Sequence, residues 1–307
     1  MRRVIRRSRA LVLVTVLLAG CASTTGDAAP ARHAPGTKLS AGYVVPSGSR
    51  LVGTVFRLNG ASGTSSLALI DIDRDPLAVY DDLVAQGRRA GTLLPGSGTA
   101  APYEGPRTCH LNVDNHEAPI GPADAAAATS VDCYGAGVLP DGAGSVVVQT
   151  SWGGSAHHAL VETSDNPIAG GGRDDLGDAR APELVPLPKV VDRPLVSEPG
   201  TPFGSSNNGF ESGYRRFTLE PGSRVVADVD GFTQGMLVVL RIDGDTREVV
   251  TRYARQIGSG GTTPRVREVA TPGGHVLSVV NSPEGGGAVF LDTDPSGRWL
   301  LIRANSD

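Results

Sequence analysis

One stretch occurs twice, 170 positions apart: Leu67-Ala68-Leu69-Ile70-Asp71-Ile72-Asp73-Arg74-Asp75 and Leu237-Val238-Val239-Leu240-Arg241-Ile242-Asp243-Gly244-Asp245. Each copy is an apolar β-type run that ends in acidic residues and leads into a helix pattern. In the first copy, Asp75-Pro76 supplies an N-cap acceptor and a proline at the first helical position, where its missing N–H costs nothing. Leu77, Tyr80, Leu83 and Val84 then share one helical face, Arg88 and Arg89 favour its C-terminal end, and Gly91 stops it. In the second copy, a helix over Thr246 to Ile257 places Val249, Val250, Tyr253 and Ile257 on one face. The register continues through Val79/Val249, Gln86/Gln256 and Gly91/Gly261. Upstream, Gly42-Tyr43 recurs as Gly213-Tyr214, and Gly48-Ser49-Arg50 as Gly222-Ser223-Arg224. A repeat of this extent implies duplicated domains. The expected fold class is therefore α+β: two similar small units, each a mainly antiparallel sheet with one main helix. Such a unit builds its core from one sheet face and one helix stripe, which leaves the other sheet face for a partner. Two copies would present two related surfaces and bind through effective concentration rather than through one deep pocket.

The remaining strands follow from composition. In the first unit, residues 43–162, β-type runs cover Leu51 to Arg57, Ser66 to Ile72, Arg107 to Val113, Ser130 to Tyr134, Ser145 to Thr150 and His157 to Glu162. Residues 163–212 carry Gly170-Gly171-Gly172 and prolines 182, 186, 188, 194, 199 and 202, a density that blocks regular pairing and reads as a linker. The second unit occupies 213–307.

Residues 1–20 have a basic head with Arg2, Arg3, Arg6, Arg7 and Arg9, then a short apolar run from Ala10 to Ala19. That run falls far short of the ~20 residues needed to span a bilayer, and the pattern is that of a secretory leader. It ends in Leu18-Ala19-Gly20-Cys21: a branched aliphatic residue, two small residues and a cysteine. This stretch resembles the lipobox of bacterial lipoproteins. The resemblance implies cleavage before Cys21, acylation of that residue with palmitate-type chains, and anchoring on the extracytoplasmic face of the cell membrane. Each buried CH₂ contributes roughly 0.8 kcal/mol, so two or more acyl chains hold far better than one. Residues 21–42, rich in Ala, Thr, Gly and Pro, then read as a flexible tether. Loss of the leader's five arginines takes the formal charge from −4 to −9, which argues against nucleic acid as a partner.

Besides Cys21 the chain has Cys109 and Cys133. In an oxidising compartment two such residues point to a disulfide, and the absence of Cys-x-x-Cys leaves redox chemistry without support.

Few residues suggest other chemistry. Asp71, Asp73 and Asp75, and separately Asp292, Asp294 and Ser296, begin like calcium loops, but Asp82 and Arg303 stand where a bidentate Glu is needed. His110, Asp114 and His116 lie close in sequence, whereas the adjacent His157 and His158 point to opposite faces of a strand. No Gly-x-Ser-x-Gly elbow is present, and no phosphate-cradling glycine motif precedes a helix. No metal or cofactor is expected. The expected function is a non-enzymatic binding or interaction module of the cell envelope, meeting the membrane through Cys21 and an envelope protein or glycan through its folded units. The alternative is a lipid-anchored hydrolase assembled from distant residues, with His110, His116, His157 or His158 as bases.

Overall fold

The computed structural model describes residues 32–60, 63–73, 76–91, 109–113, 116–119, 130–139, 144–153, 156–165, 191–204, 216–232, 235–258, 263–271, 273–281 and 288–305. Cys21 and the leader therefore lie outside the described residues, as do Asp75, Asp114 and residues 166–190. The elements are β1 (Arg32–His33), β2 (Ser49–Val52), β3 (Phe56–Gly60), β4 (Gly63–Ile72), α1 (Pro76–Arg89), β5 (Cys109–Val113), β6 (His116–Pro119), β7 (Ser130–Val138), β8 (Ser145–Gly153) and β9 (Ala156–Ser164). They continue with β10 (Val191–Asp192), β11 (Pro202–Phe203), β12 (Phe217–Thr218), β13 (Ser223–Phe232), β14 (Gly235–Ile242), α2 (Thr246–Ile257), β15 (Arg267–Thr271), β16 (Gly274–Asn281), β17 (Val289–Thr293) and β18 (Trp299–Asn305).

The pairing is antiparallel throughout. One large sheet runs β1-β2-β4-β9-β8-β7-β5-β6, with β3 also on β4; a second runs β10-β13-β14-β18-β17-β16-β15; β11 and β12 pair as a separate two-stranded sheet. In each, the chain enters a helix after a central strand, and its last strand returns beside that same strand. With two helices among the described residues, the architecture is α+β and built from more than one sheet.

Alternation along the central strands sorts side chains into three cores. On β4, Ala68, Ile70 and Ile72 face α1 and pack with Val79, Tyr80 and Leu83. On β14, Met236, Val238, Leu240 and Ile242 face α2 and pack with Val249, Val250, Tyr253 and Ile257. The remaining positions, Leu67 and Leu69 on β4 and Leu237 and Val239 on β14, join Phe56, Leu160, Trp299 and Leu301 in a core shared by the two sheets. The layers thus run helix, sheet, sheet, helix.

This packing corrects the expectation that each sheet keeps a face free for a partner: those faces bury each other. The apolar stretches 67–70 and 237–240 are unbroken rather than alternating, as suits a strand covered on both sides.

Two boundaries also move. β1 and the turn that follows it lie inside the stretch read as a tether. Gly36 N–H donates to Val45 O, and Val45 N–H to Thr37 O. Likewise β10 and β11 lie inside the stretch read as a linker, where Gly200 N–H donates to Leu219 O and Leu219 N–H to Thr201 O. The single run expected over Leu51 to Arg57 is divided into β2 and β3, with Gly53 at φ +70° between them. α2 begins and ends as expected, and Asp245 Oδ1 caps it by accepting from Glu248 N–H at 2.8 Å.

Candidate functional site

An oppositely charged pair meets across the shared core. Glu162 on β9 follows Leu160 by two residues, and Arg303 on β18 follows Leu301 by two, so both extend the inner faces. Arg303 Nη1 lies 3.4 Å from Glu162 Oε1, and its guanidinium carbon lies 4.6 Å from the centre of the Phe290 ring. Both side chains are largely buried, at 14% and 19% exposure. Burial pushes the Glu162 carboxyl above its usual range, and Arg303 only partly offsets this.

Asp292 on β17 faces the same space, opposite Leu301 in register. It is 2% exposed, and its Oδ1 has no hydrogen-bond partner. Burial pushes its carboxyl up to about 6, against the opposing effects of the Ser278 hydroxyl bond and the Arg303 charge. Two buried carboxyls thus share one guanidinium between the sheets. Perturbed groups of this kind concentrate at functional sites, although structural ion-pair networks produce them too.

A second polar contact belongs to the first sheet alone. Asp71 on β4 stands opposite His158 on β9, and His158 Nδ1 lies 3.4 Å from Asp71 Oδ1, with the imidazole 6% exposed. A carboxylate on Nδ1 orients a histidine ring for acid–base work. On β8, Ser151 is the residue directly opposite His158.

The other sequence candidates are dispersed. His157 pairs in register with Trp152 and is more exposed than His158, as opposite faces require. In register His110 pairs with Pro119 and His116 with Val113, and Asp114, which stands between them in sequence, lies outside the described residues. Asp73 is engaged by Arg50 at 2.9 Å. Asp294 accepts from Ser296 and from the Arg298 and Trp299 N–H groups, so it closes a turn rather than opening a calcium loop. Among the described residues no group of three or more His, Cys, Asp or Glu could hold a metal. Cys109 stands directly opposite Cys133 in the β5–β7 register.

Sequence reasoning missed Glu162, Asp292 and Arg303 as a group. Their partners lie far apart along the chain, and no local motif marks them. An ionisable residue two places beyond a core leucine on a strand covered on both sides was the available signal.

No protein-family model matches the chain, and no curated protein matches it. Among solved structures, the chain is similar to one described as the crystal structure of the erythromycin dehydratase, at 11% identity, covering 84% of this chain and 95% of that one with a TM-score of 0.15. It is also similar to the dehydratase domain from the terminal module of the rifamycin polyketide synthase, at 13% identity, 84% and 95% coverage and a TM-score of 0.14. Likenesses at that level carry no argument about fold or activity.

Proposed function

We propose that the chain is a lipid-anchored protein of the cell envelope, held on the extracytoplasmic face of the membrane through Cys21, and that its folded part is a non-enzymatic interaction module made of two versions of one α+β unit. The observation that carries the anchor is Leu18-Ala19-Gly20-Cys21 behind a five-arginine leader. Acyl chains on Cys21 hold the protein at the membrane, and residues 22–31 separate them from β1.

The two-unit reading is supported by bonds that recur at matching positions. Gln86 Oε1 accepts from Val44 N–H at 2.8 Å, and Gln256 Oε1 accepts from Thr218 N–H at 2.8 Å. Asp73 N–H donates to Gly48 O, and Asp243 N–H to Gly222 O. Arg50 pairs with Asp73, and Arg224 with Asp243. Pro35-Gly36-Thr37 and Pro199-Gly200-Thr201 make the same turn, with glycine φ of +82° and +87°. The sheets follow one order once β2 and β3 are taken together as the counterpart of β13, except that β6 at the edge of the first has no counterpart in the second.

With the inner faces buried on each other, an envelope protein or glycan would be met by the helix layers, sheet edges and loops. A second reading, a lipid-anchored hydrolase, draws on the Asp71–His158 contact.

Cys21→Ala tests the anchor: the variant should leave the membrane fraction or accumulate unprocessed. Unchanged membrane association together with an unchanged mature mass would overturn the proposal. For the second reading, loss of an ester-hydrolysing activity in His158→Ala, with the fold intact, would favour the hydrolase.

A further inference from the structure

The inner faces of the two units carry matching residues. Leu67 corresponds to Leu237 and Leu69 to Val239 at an offset of 170, and Val52 to Val226 at 174; all six lie in the shared core. On the returning strands, Leu160 stands opposite Leu69 and Leu301 opposite Val239, so these two also correspond. One step further, Glu162 stands opposite Leu67 and Arg303 opposite Leu237. Glu162 and Arg303 thus occupy the same slot of their respective sheets, and they are the residues that meet across the interface at 3.4 Å.

A two-fold interface brings a residue against its own counterpart only beside the axis. If two copies of the first unit met through this face, the slot would set Glu against Glu; two copies of the second would set Arg against Arg. Like charges juxtaposed at an interface cost several kcal/mol. Opposite charges are satisfied only when a first unit meets a second. The neighbouring slot differs in the same sense: Gln149 stands opposite Leu160 on β8, whereas Asp292 stands opposite Leu301 on β17, so a carboxylate accompanies the arginine side alone.

We propose that the inner sheet face is a self-complementary docking surface of two-fold type, and that the Glu162–Arg303 pair in its shared slot makes each unit select the other unit rather than a second copy of itself. The partner that this surface fits is the opposite unit of the same chain. This proposal rests on the two-unit reading above.

The test is a charge-exchange cycle on the whole mature chain, in an Asp292→Asn background so that no third carboxylate faces the exchanged pair. The variants are Glu162→Arg, Arg303→Glu and both together, read by thermal midpoint and by sedimentation at two protein concentrations. Each single exchange should lower the midpoint by roughly 5–10 °C, a shift that for a chain of this size corresponds to a buried pair turned repulsive. Neither should promote association between chains, because in each single variant every pairing of units, within a chain or between chains, sets like charges together. The double exchange should recover most of the midpoint, and sedimentation should stay that of the parent in all the variants. A double variant as impaired as the sum of the singles, or singles indistinguishable from the parent, overturns the selection role and leaves the repeat untouched. A crystal structure of the charge-exchanged double variant in which residues 162 and 303 are not opposite Leu67 and Leu237 overturns the repeat, and a surviving coupling would then be an ordinary ion pair.

Discussion

Gly53 lies directly beneath Trp299. A Cβ on Gly53 would come within 3.1 Å of Trp299 Cε3 and 3.2 Å of Val239 Cγ1, and the residue holds φ at +70°. The glycine that divides β2 from β3 is therefore required twice, once by its backbone and once by the indole that the second sheet presents. The break in the strand redirects the chain so that Phe56 and Leu58 also reach the shared core.

Gly53→Ala should therefore destabilise the protein by about 2–4 kcal/mol, combining the left-handed backbone cost with overpacking against Trp299. Urea titration checks this: the midpoint should fall with the slope preserved. Val239→Ala should cost less in the Gly53→Ala background than alone, since it removes one of the three atoms that crowd the new methyl group. An unchanged midpoint in Gly53→Ala would mean that the sheets do not approach this closely.

The same glycine marks where sequence reasoning stops. Local signals were sufficient for α2, where Asp245 caps the first turn and Val249, Val250, Tyr253 and Ile257 repeat at helical spacing. They were insufficient at Gly53, because nothing near it in the chain announces that Trp299 will lie above it. Pro35-Gly36-Thr37 and Pro199-Gly200-Thr201 were visible but sat in segments rich in proline and glycine. The composition that makes a flexible linker also makes a tight turn; only the hydrogen bonds each triplet makes, Gly36 N–H to Val45 O and Gly200 N–H to Leu219 O, distinguish them. Of the polar residues, His158 was recognised as a candidate base. Its partner Asp71 was noted only as one of a run of acidic residues, because cross-strand register is set by hairpins far from either. Glu162 and Arg303 are 141 residues apart, and their meeting depends on two sheets stacking face to face.

Asp292 makes stability depend on pH in a stated direction. Its carboxyl is held at about 6 in the folded chain against an ordinary 3.8, so the folded state keeps the proton more tightly than the unfolded one. Its contribution to stability is then fullest below about pH 4, is lost as pH rises through about 6, and is level above that window. The full cost of ionisation is on the order of 3 kcal/mol. Asp292→Asn cannot ionise and should be the more stable protein at pH 7, by about 1–3 kcal/mol, with this part of the pH dependence removed. Urea midpoints measured between pH 4 and pH 8 for both proteins decide it. A variant less stable than the parent at pH 7 would show that the ionised carboxylate, with Ser278 and Arg303, is a net stabilising group.

The pairing of β5 with β7 bears on the cysteines. Residues directly opposite each other in an antiparallel pair have Cα atoms about 4.5–5.5 Å apart, inside the range that a disulfide spans. Cys109 and Cys133 are such a pair. If the chain is exported as its leader implies, the two thiols should be joined, closing a loop that contributes roughly 3.5 kcal/mol in the chain-entropy account. The bridge would fasten the outer hairpin of β5 and β6 to β7, at the far end of the first sheet from β4 and the shared core. Reduction should therefore loosen that end first. Mass analysis of the exported protein without reductant should find both thiols masked. Limited proteolysis after reduction should cut within residues 109–119 before it cuts the sheet of β13 to β18, and Cys109→Ser should reproduce that pattern without reductant. Two thiols that alkylate freely in the folded, exported protein would show that the register brings the cysteines together without a bond between them.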